Sequence, residues 1–287
     1  MTGEAGSSRA LSSRASISTT AWVGLGMLLV VVAIGIFGRY LASYAPDEMF
    51  GAPFSAPSGD HWLGLDFAGR DVLSRFLWGG QTAIFVALTG TVLGFVLGSC
   101  LGLVSAYRRG WVDELIGRST DLALAFPALI LSLLLLAAFG TSIGLVVFAI
   151  AITTAPGVAR IARAATLEVV DLPYVESARA RGERASYVMA VEILPSVRSP
   201  LLVDFGLRLT TAILLVAALS FVGLGLQPPA ADWGLMIGEN RIGLNVQPWA
   251  VIVPAAAIAA LTIGVNLIID GVGRRTGAVT RPVESRV

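Results

Sequence analysis

Of the chain's 287 residues, 55% are apolar and only 14% charged, against about 25% charged in an ordinary soluble domain, so the bilayer is its first candidate solvent. The formal net charge is +1 and all 20 basic residues are arginine, a balance that gives no reason to expect a nucleic-acid partner. One cysteine, Cys100, excludes an intrachain disulfide, and one histidine, His61, cannot build a metal cluster alone; a packing cysteine and a loop histidine are the plain readings.

A membrane-spanning helix needs about 20 mostly apolar residues, because roughly 30 Å of hydrocarbon is crossed at about 1.5 Å per residue. Residues 1–20, rich in Ser, Thr and Gly, read as a mobile tail. Ala21 to Gly38 follows as the first span, with a core too long for a cleaved signal peptide, and Thr82 to Tyr107 is the second. Leu122 to Ala159 exceeds one helix and divides at Gly140, Thr141 and Ser142 into the third and fourth. Leu209 to Leu226 and Trp249 to Ile269 complete a set of six. The expected architecture is all-α and polytopic, with residues 21–79 forming the first helix and an extracytoplasmic segment. Residues 80–271 then form a five-helix core, and 272–287 a second tail.

Arginine sets the orientation, since basic residues flanking spans stay on the cytoplasmic side. Between spans four and five alone lie Arg160, Arg163, Arg179, Arg181, Arg184, Arg198 and Arg208, whereas the opposite segments hold only Arg39, Arg70, Arg75 and Arg241. The expectation is that both termini are cytoplasmic.

The long connection over 160–208 is the most informative part of the chain. Asp171-Leu-Pro173-Tyr174 reads as a helix start, with Asp171 able to cap free N–H groups and Pro173 tolerated in the first turn. A short helix then runs through Glu176, Ser177 and Ala178 to Gly182, which can take the left-handed conformation that ends helices. A second helical stretch, Glu183 to Leu194, is expected to stop at Pro195. Small side chains at Ser177, Ala178 and Ala180 suit close approach of a partner, and Glu176 offers it a charge.

Glu176-Ser-Ala178, Gly182 and Leu194-Pro195 resemble the coupling-loop signature of bacterial importer permeases, E-A-A, then G, then I-x-L-P, with Ser177 for the second Ala and Glu192 for Ile. Gly64-Leu-Asp66-Phe-Ala-Gly69-Arg70-Asp71-Val-Leu-Ser74-Arg75 is similar to a stretch before the second helix of dipeptide, oligopeptide and nickel permeases, with Leu65 for Thr. Leu219 to Pro229, followed by Asp232-Trp233-Gly234, resembles another run of those subunits, and Ala125-Phe126-Pro127 fits their third helix. The resemblance implies a type I transmembrane domain of an ATP-binding-cassette importer in the bacterial inner membrane. It implies that Tyr174, Glu176, Ser177, Ala178, Gly182, Leu194 and Pro195 couple to an ATPase. Phe126, Pro127, Ser220, Gly223, Gly225, Gln227 and Trp233 are expected along the path or its gate. It also implies a homologous second permease, two ATPase subunits or domains and an extracytoplasmic solute-binding protein as partners.

No ionisable residue falls in the middle of a predicted span, with Asp204 and Arg208 at an inner end, which disfavours ion coupling. The sequence has no G-x-x-x-x-G-K-[ST] loop, so the chain is expected to carry no cofactor, with ATP and Mg on partner subunits. An embedded enzyme lacks its nucleophile, base or metal set. Peptides are the first expectation for cargo, nickel or another small solute the alternative, and a channel or scaffold subunit the reading outside transport.

Overall fold

The computed structural model describes residues 19–225, 227 and 230–277. Residues 1–18 and 278–287 of the expected tails, the expected end of the fifth span at Leu226, and Pro228 and Pro229 lie outside the described residues. Helix α1 (Thr19–Leu41) runs antiparallel to the last helix, α9 (Trp249–Gly277), with Gly24 against Leu267 and Gly264. Helix α2 (Val72–Arg108) starts ten residues earlier than the apolar run, because Asp71 caps it by accepting from the Ser74 N–H. The boundary expected at 79–80 therefore falls inside a helix.

Helix α5 (Ile143–Val169) lies parallel to α2, and their contact is the backbone of the fold. Gly90, Gly94, Gly98 and Gly102 recur every four residues along one face of α2. A Cβ on Gly98 would sit 2.4 Å from the Ala155 carbonyl oxygen, and one on Gly102 would sit 2.5 Å from that of Ala159. Without an aqueous hydrophobic effect between lipid-exposed helices, such close backbone packing supplies the association energy.

The third expected span is broken. Helix α3 (Gly110–Leu124) has no buried residue and meets α4 (Ala128–Phe139) at 87°, with Phe126 and Pro127 at the corner. Pro127 starts α4 as its N-cap, where its missing N–H is harmless. The expected turn stands at 140–142, where Gly140 has φ +97° and Ser142 caps α5.

After the short helix α6 (Pro173–Ala180), one continuous helix, α7 (Ala185–Val222), replaces the separate helix and span expected on either side of Pro195. Residues 188–193 form a π turn in which the Leu194 N–H reaches the Met189 carbonyl, five residues back. The widened turn accommodates the Pro195 ring, which in an α-helix presses on the carbonyl four residues earlier. Helix α8 (Trp233–Asn240) then packs against α7 and α9. Among the described residues, five helices are long and apolar enough to cross a membrane, six if the bent pair α3–α4 counts as one span. Cys100 is exposed on α2, not packed as expected.

Two apolar cores result among the described residues. The larger joins α1, α2, α4, α5, α7, α8 and α9 around Leu136, Ile150, Leu219, Trp233 and Met236. The smaller lies at the end bearing α6 and joins Leu103 of α2, Ala162 and Ala165 of α5, Val175 and Ala178 of α6, and Val188, Ile193, Val197 and Leu201 of α7.

Candidate functional site

The structure gathers the expected coupling residues into one surface around α6, with one exception. Pro173 occupies the first turn as predicted, but Leu172 is the N-cap and no side chain caps the helix. Asp171 instead accepts from Arg109 Nη2 at 2.5 Å, a surface ion pair that ties α6's approach to the α2–α3 corner. Tyr174 donates its hydroxyl to Ser196 Oγ at 3.0 Å, pinning α6 to the start of α7, and Ser196 in turn donates to the Glu192 carbonyl at 3.2 Å. Glu176 and Ser177 are exposed, with the Ser177 hydroxyl donating to Pro173 O and Glu176 making no ion pair among the described residues. Leu194 and Pro195 are exposed beside them.

Ala178 is the exception: it is 0% exposed and sits in the smaller core beside Val175. The sequence reading turned it toward a partner, whereas its small side chain allows α6 to lie close on this chain's own α5 and α7. Gly182 follows the helix at φ +78° with nothing within 4 Å of an added Cβ. Its backbone is thus strained for any side chain, while the space around it is free.

At the same end, α3 is clamped by charge. Arg163 of α5 donates Nε and Nη2 to the two oxygens of Asp113 at 2.6 and 2.7 Å, and Ser105 bonds the same carboxylate. The Arg163 hydrogen bond, against the effect of partial burial, holds the Asp113 carboxyl down to about 2. Arg160, one turn earlier on α5, pairs with Asp121, about two turns later on α3.

The expected gate residues do not form one surface. Phe126 and Pro127 line a cavity of about 300 Å³ between the α3–α4 corner, α5 and α7. Gly223 ends α7 in the left-handed conformation and Gln227 bonds back to its carbonyl at 2.8 Å, both exposed at the other end. Ser220 and Trp233 are each 1% exposed and Gly225 is buried against Ser220, so these three belong to the interior. Trp233 donates its indole N–H to the Phe76 carbonyl at 2.9 Å and stacks on the Phe76 ring, which makes it a packing anchor instead of a pathway side chain.

A family model described as binding-protein-dependent transport system inner membrane component matches residues 90–278. The chain belongs to that family. It is 36% identical to the glutathione transport system permease protein GsiD of Pectobacterium atrosepticum, over 85% of this chain and 82% of that protein. It is 38% identical to the GsiD protein of Escherichia coli O6:K15:H31, over 85% of this chain and 81% of that one. The methionine transporter MetNI in an inward-facing conformation has a similar fold, with TM-score 0.55 and 19% identity over 72% of this chain and 97% of that one. An amino acid ABC transporter solved with histidines is similar at TM-score 0.53 and 21% identity, over 70% and 94% of the two chains. The protein is a multi-pass inner-membrane permease subunit of an ATP-binding-cassette importer, not itself an enzyme, and it works with an ATPase and a binding protein.

Sequence reasoning missed the way this permease closes its other end. Asp66 accepts from Arg70 Nε at 2.8 Å and from Arg75, and Glu239 of α8 accepts from Arg70 at 3.0 Å and Arg75 at 2.9 Å. Two carboxylates and two guanidiniums thus form a neutral, largely buried cluster. Asn240 accepts from the Phe67 N–H at 2.9 Å and Gln247 donates to the Leu63 carbonyl at 2.7 Å, so residues 49–71 and the α8 segment make one cap. His61 bonds Asp71 at 3.0 Å within this cap. The only local signal for the cluster was the Asp66 to Arg70 spacing.

Proposed function

We propose that this permease forms half of the translocation pathway of an importer of short peptides, pairing with a homologous second permease, two ATPase subunits and an extracytoplasmic binding protein. The observation that carries the coupling role is the seating of α6. Its outer face, with Glu176 and Ser177, is exposed, while Val175 and Ala178 on its inner face are locked into a core shared with α2, α5 and α7 and Tyr174 is hydrogen-bonded to Ser196 of α7. A force on the outer face therefore reaches three spans at once. ATP and Mg belong to the partner, whose closure on nucleotide pushes α6 and switches the spans between two packings. Peptide cargo is supported by the glutathione permeases among the relatives. The arginine asymmetry and the common end of Thr19, α6 and Gly277 support a cytoplasmic location for both termini.

Reconstituted with its partners, the complex is expected to hydrolyse ATP faster when the binding protein carries a short peptide. Stimulation by nickel with no response to any peptide would overturn the cargo reading. In a Cys100→Ala background, a cysteine at Gly59 should react with a membrane-impermeant thiol reagent in intact cells and one at Glu183 only after lysis. The reverse pattern overturns the orientation.

A further inference from the structure

Arg208 sits on α7 about 21 Å along the axis from the helix end at Val222, at about 1.5 Å per residue. That depth lies inside the roughly 30 Å of hydrocarbon if Val222 marks the opposite boundary. An arginine at such depth is costly unless it is paired or used. It is paired only in part. Its Nε donates to the Asp204 carboxylate at 3.2 and 3.4 Å, and no hydrogen bond from Nη1 or Nη2 is present among the described residues. The guanidinium lies over the bare backbone of α5, because a Cβ on Gly157 would stand 2.6 Å from Cζ, Nη1 and Nη2 alike. It borders the cavity of about 300 Å³ whose wall also carries Phe126, Pro127, Thr153 and Thr211. Arg208 keeps 30% of its side chain exposed there.

We propose that Arg208 is a carboxylate-binding side chain of the cargo path, positioned by Asp204 and by the gap at Gly157. This deepens the peptide reading and rests on it for the identity of the cargo. Two adjacent Nη donors form a planar fork that matches a carboxylate with two parallel hydrogen bonds, which an ammonium cannot offer. Asp204 neutralises the pair at rest, which lowers the cost of keeping it at depth. When a peptide carboxylate arrives, the same aspartate repels it, so binding is brief. A pathway site must release what it binds.

The test uses the assembled complex in vesicles of phosphatidylcholine, in a Cys100→Ala background with Thr211→Cys placed in the cavity wall. A sulfonate-bearing methanethiosulfonate should modify that cysteine about tenfold faster than a trimethylammonium-bearing one. Arg208→Gln should bring the ratio to about one, and Gly157→Ala, which displaces the guanidinium and keeps the charge, should lower it in part. With ATP and the loaded binding protein, a peptide with a free C-terminal carboxylate should slow the modification, and Arg208→Lys should weaken that protection while keeping the reagent preference. Equal rates for the two reagents with Arg208 in place overturn the proposal, as does protection conferred by added phosphatidylglycerol and not by peptide. If peptides fail to stimulate the ATPase while acetate still slows the modification, the peptide cargo is wrong and the carboxylate site stands. If peptides stimulate the ATPase and neither peptide nor acetate protects, the cargo stands and the site falls.

Discussion

Gly182 separates the conformational demand at the exit of α6 from the steric one. An added Cβ meets nothing within 4 Å, so a replacement costs only what the positive φ of +78° imposes. For a side chain with a Cβ the left-handed conformation costs about 1–2 kcal/mol, with asparagine the mildest and β-branched residues the worst. A cost of that size is a factor of about 5–30 in the population of the native turn. Val175 and Ala178, both buried in the smaller core, should keep α6 seated, so the loss falls on residues 181–184. Gly182→Val should therefore reduce peptide-stimulated ATP hydrolysis in proteoliposomes by about 5–30-fold while the permease still inserts. Gly182→Asn should stay within about twofold of the parent. Co-purification of the ATPase checks whether docking or signalling is lost. Wild-type stimulation in Gly182→Val would refute the coupling role of this turn, and equal damage from asparagine and valine would refute the conformational reasoning behind it.

The two faces of α6 should respond in opposite ways. Ser177→Trp, on the exposed face, is expected to leave thermal stability intact and abolish ATPase co-purification, whereas Ala178→Leu overpacks the core and lowers the stability of the isolated permease by about 1–3 kcal/mol. Gly98→Ala forces α2 from α5 and should cost a similar amount, while Gly117→Ala in α3, with nothing within 4 Å, should be neutral or stabilising by up to ~1 kcal/mol; denaturation in mixed micelles measures both, and equal effects would discredit the glycine contact. Glu239→Gln leaves Arg70 and Arg75 under-compensated and should destabilise the cap by about 3–5 kcal/mol, read as loss of hydrogen-exchange protection over residues 63–75. Unchanged protection would mean that Asp66 alone holds the cluster.

Most of the fold was legible because each span is a run of apolar residues, and a run is a local property. The misreadings share a different cause. Pro195 reads as a stop because its missing N–H is visible in the sequence, while the π turn that absorbs it depends on the packing of Val188 and Ile193 below. Ala178 suits a close approach equally well from a partner or from this chain, and only the neighbouring Val175, three residues earlier on the same face, hinted at the inner side. Trp233 is expected at the path or gate because the run it belongs to resembles one in peptide and nickel permeases, yet its indole N–H finds its acceptor 157 positions back in the chain. The ionic cap depends on pairings of the same kind, with Glu239 reaching Arg75 over 164 positions.

These long-range contacts bear on how the proposed coupling works. Glycine-to-backbone contacts hold α2 and α5 too closely to slide without loss, so the two helices move as one body. α6 and the start of α7 join that body through the smaller core, and α3 joins it through Asp113 and Arg163. The bend between α3 and α4 at Phe126 and Pro127 is then where a displacement at α6 can be taken up without breaking a packed interface. The cavity that carries Arg208 opens at this bend. A push on α6 would therefore change the shape of that cavity, and α2, which carries Arg75, would pass the displacement on to the cap at the opposite end.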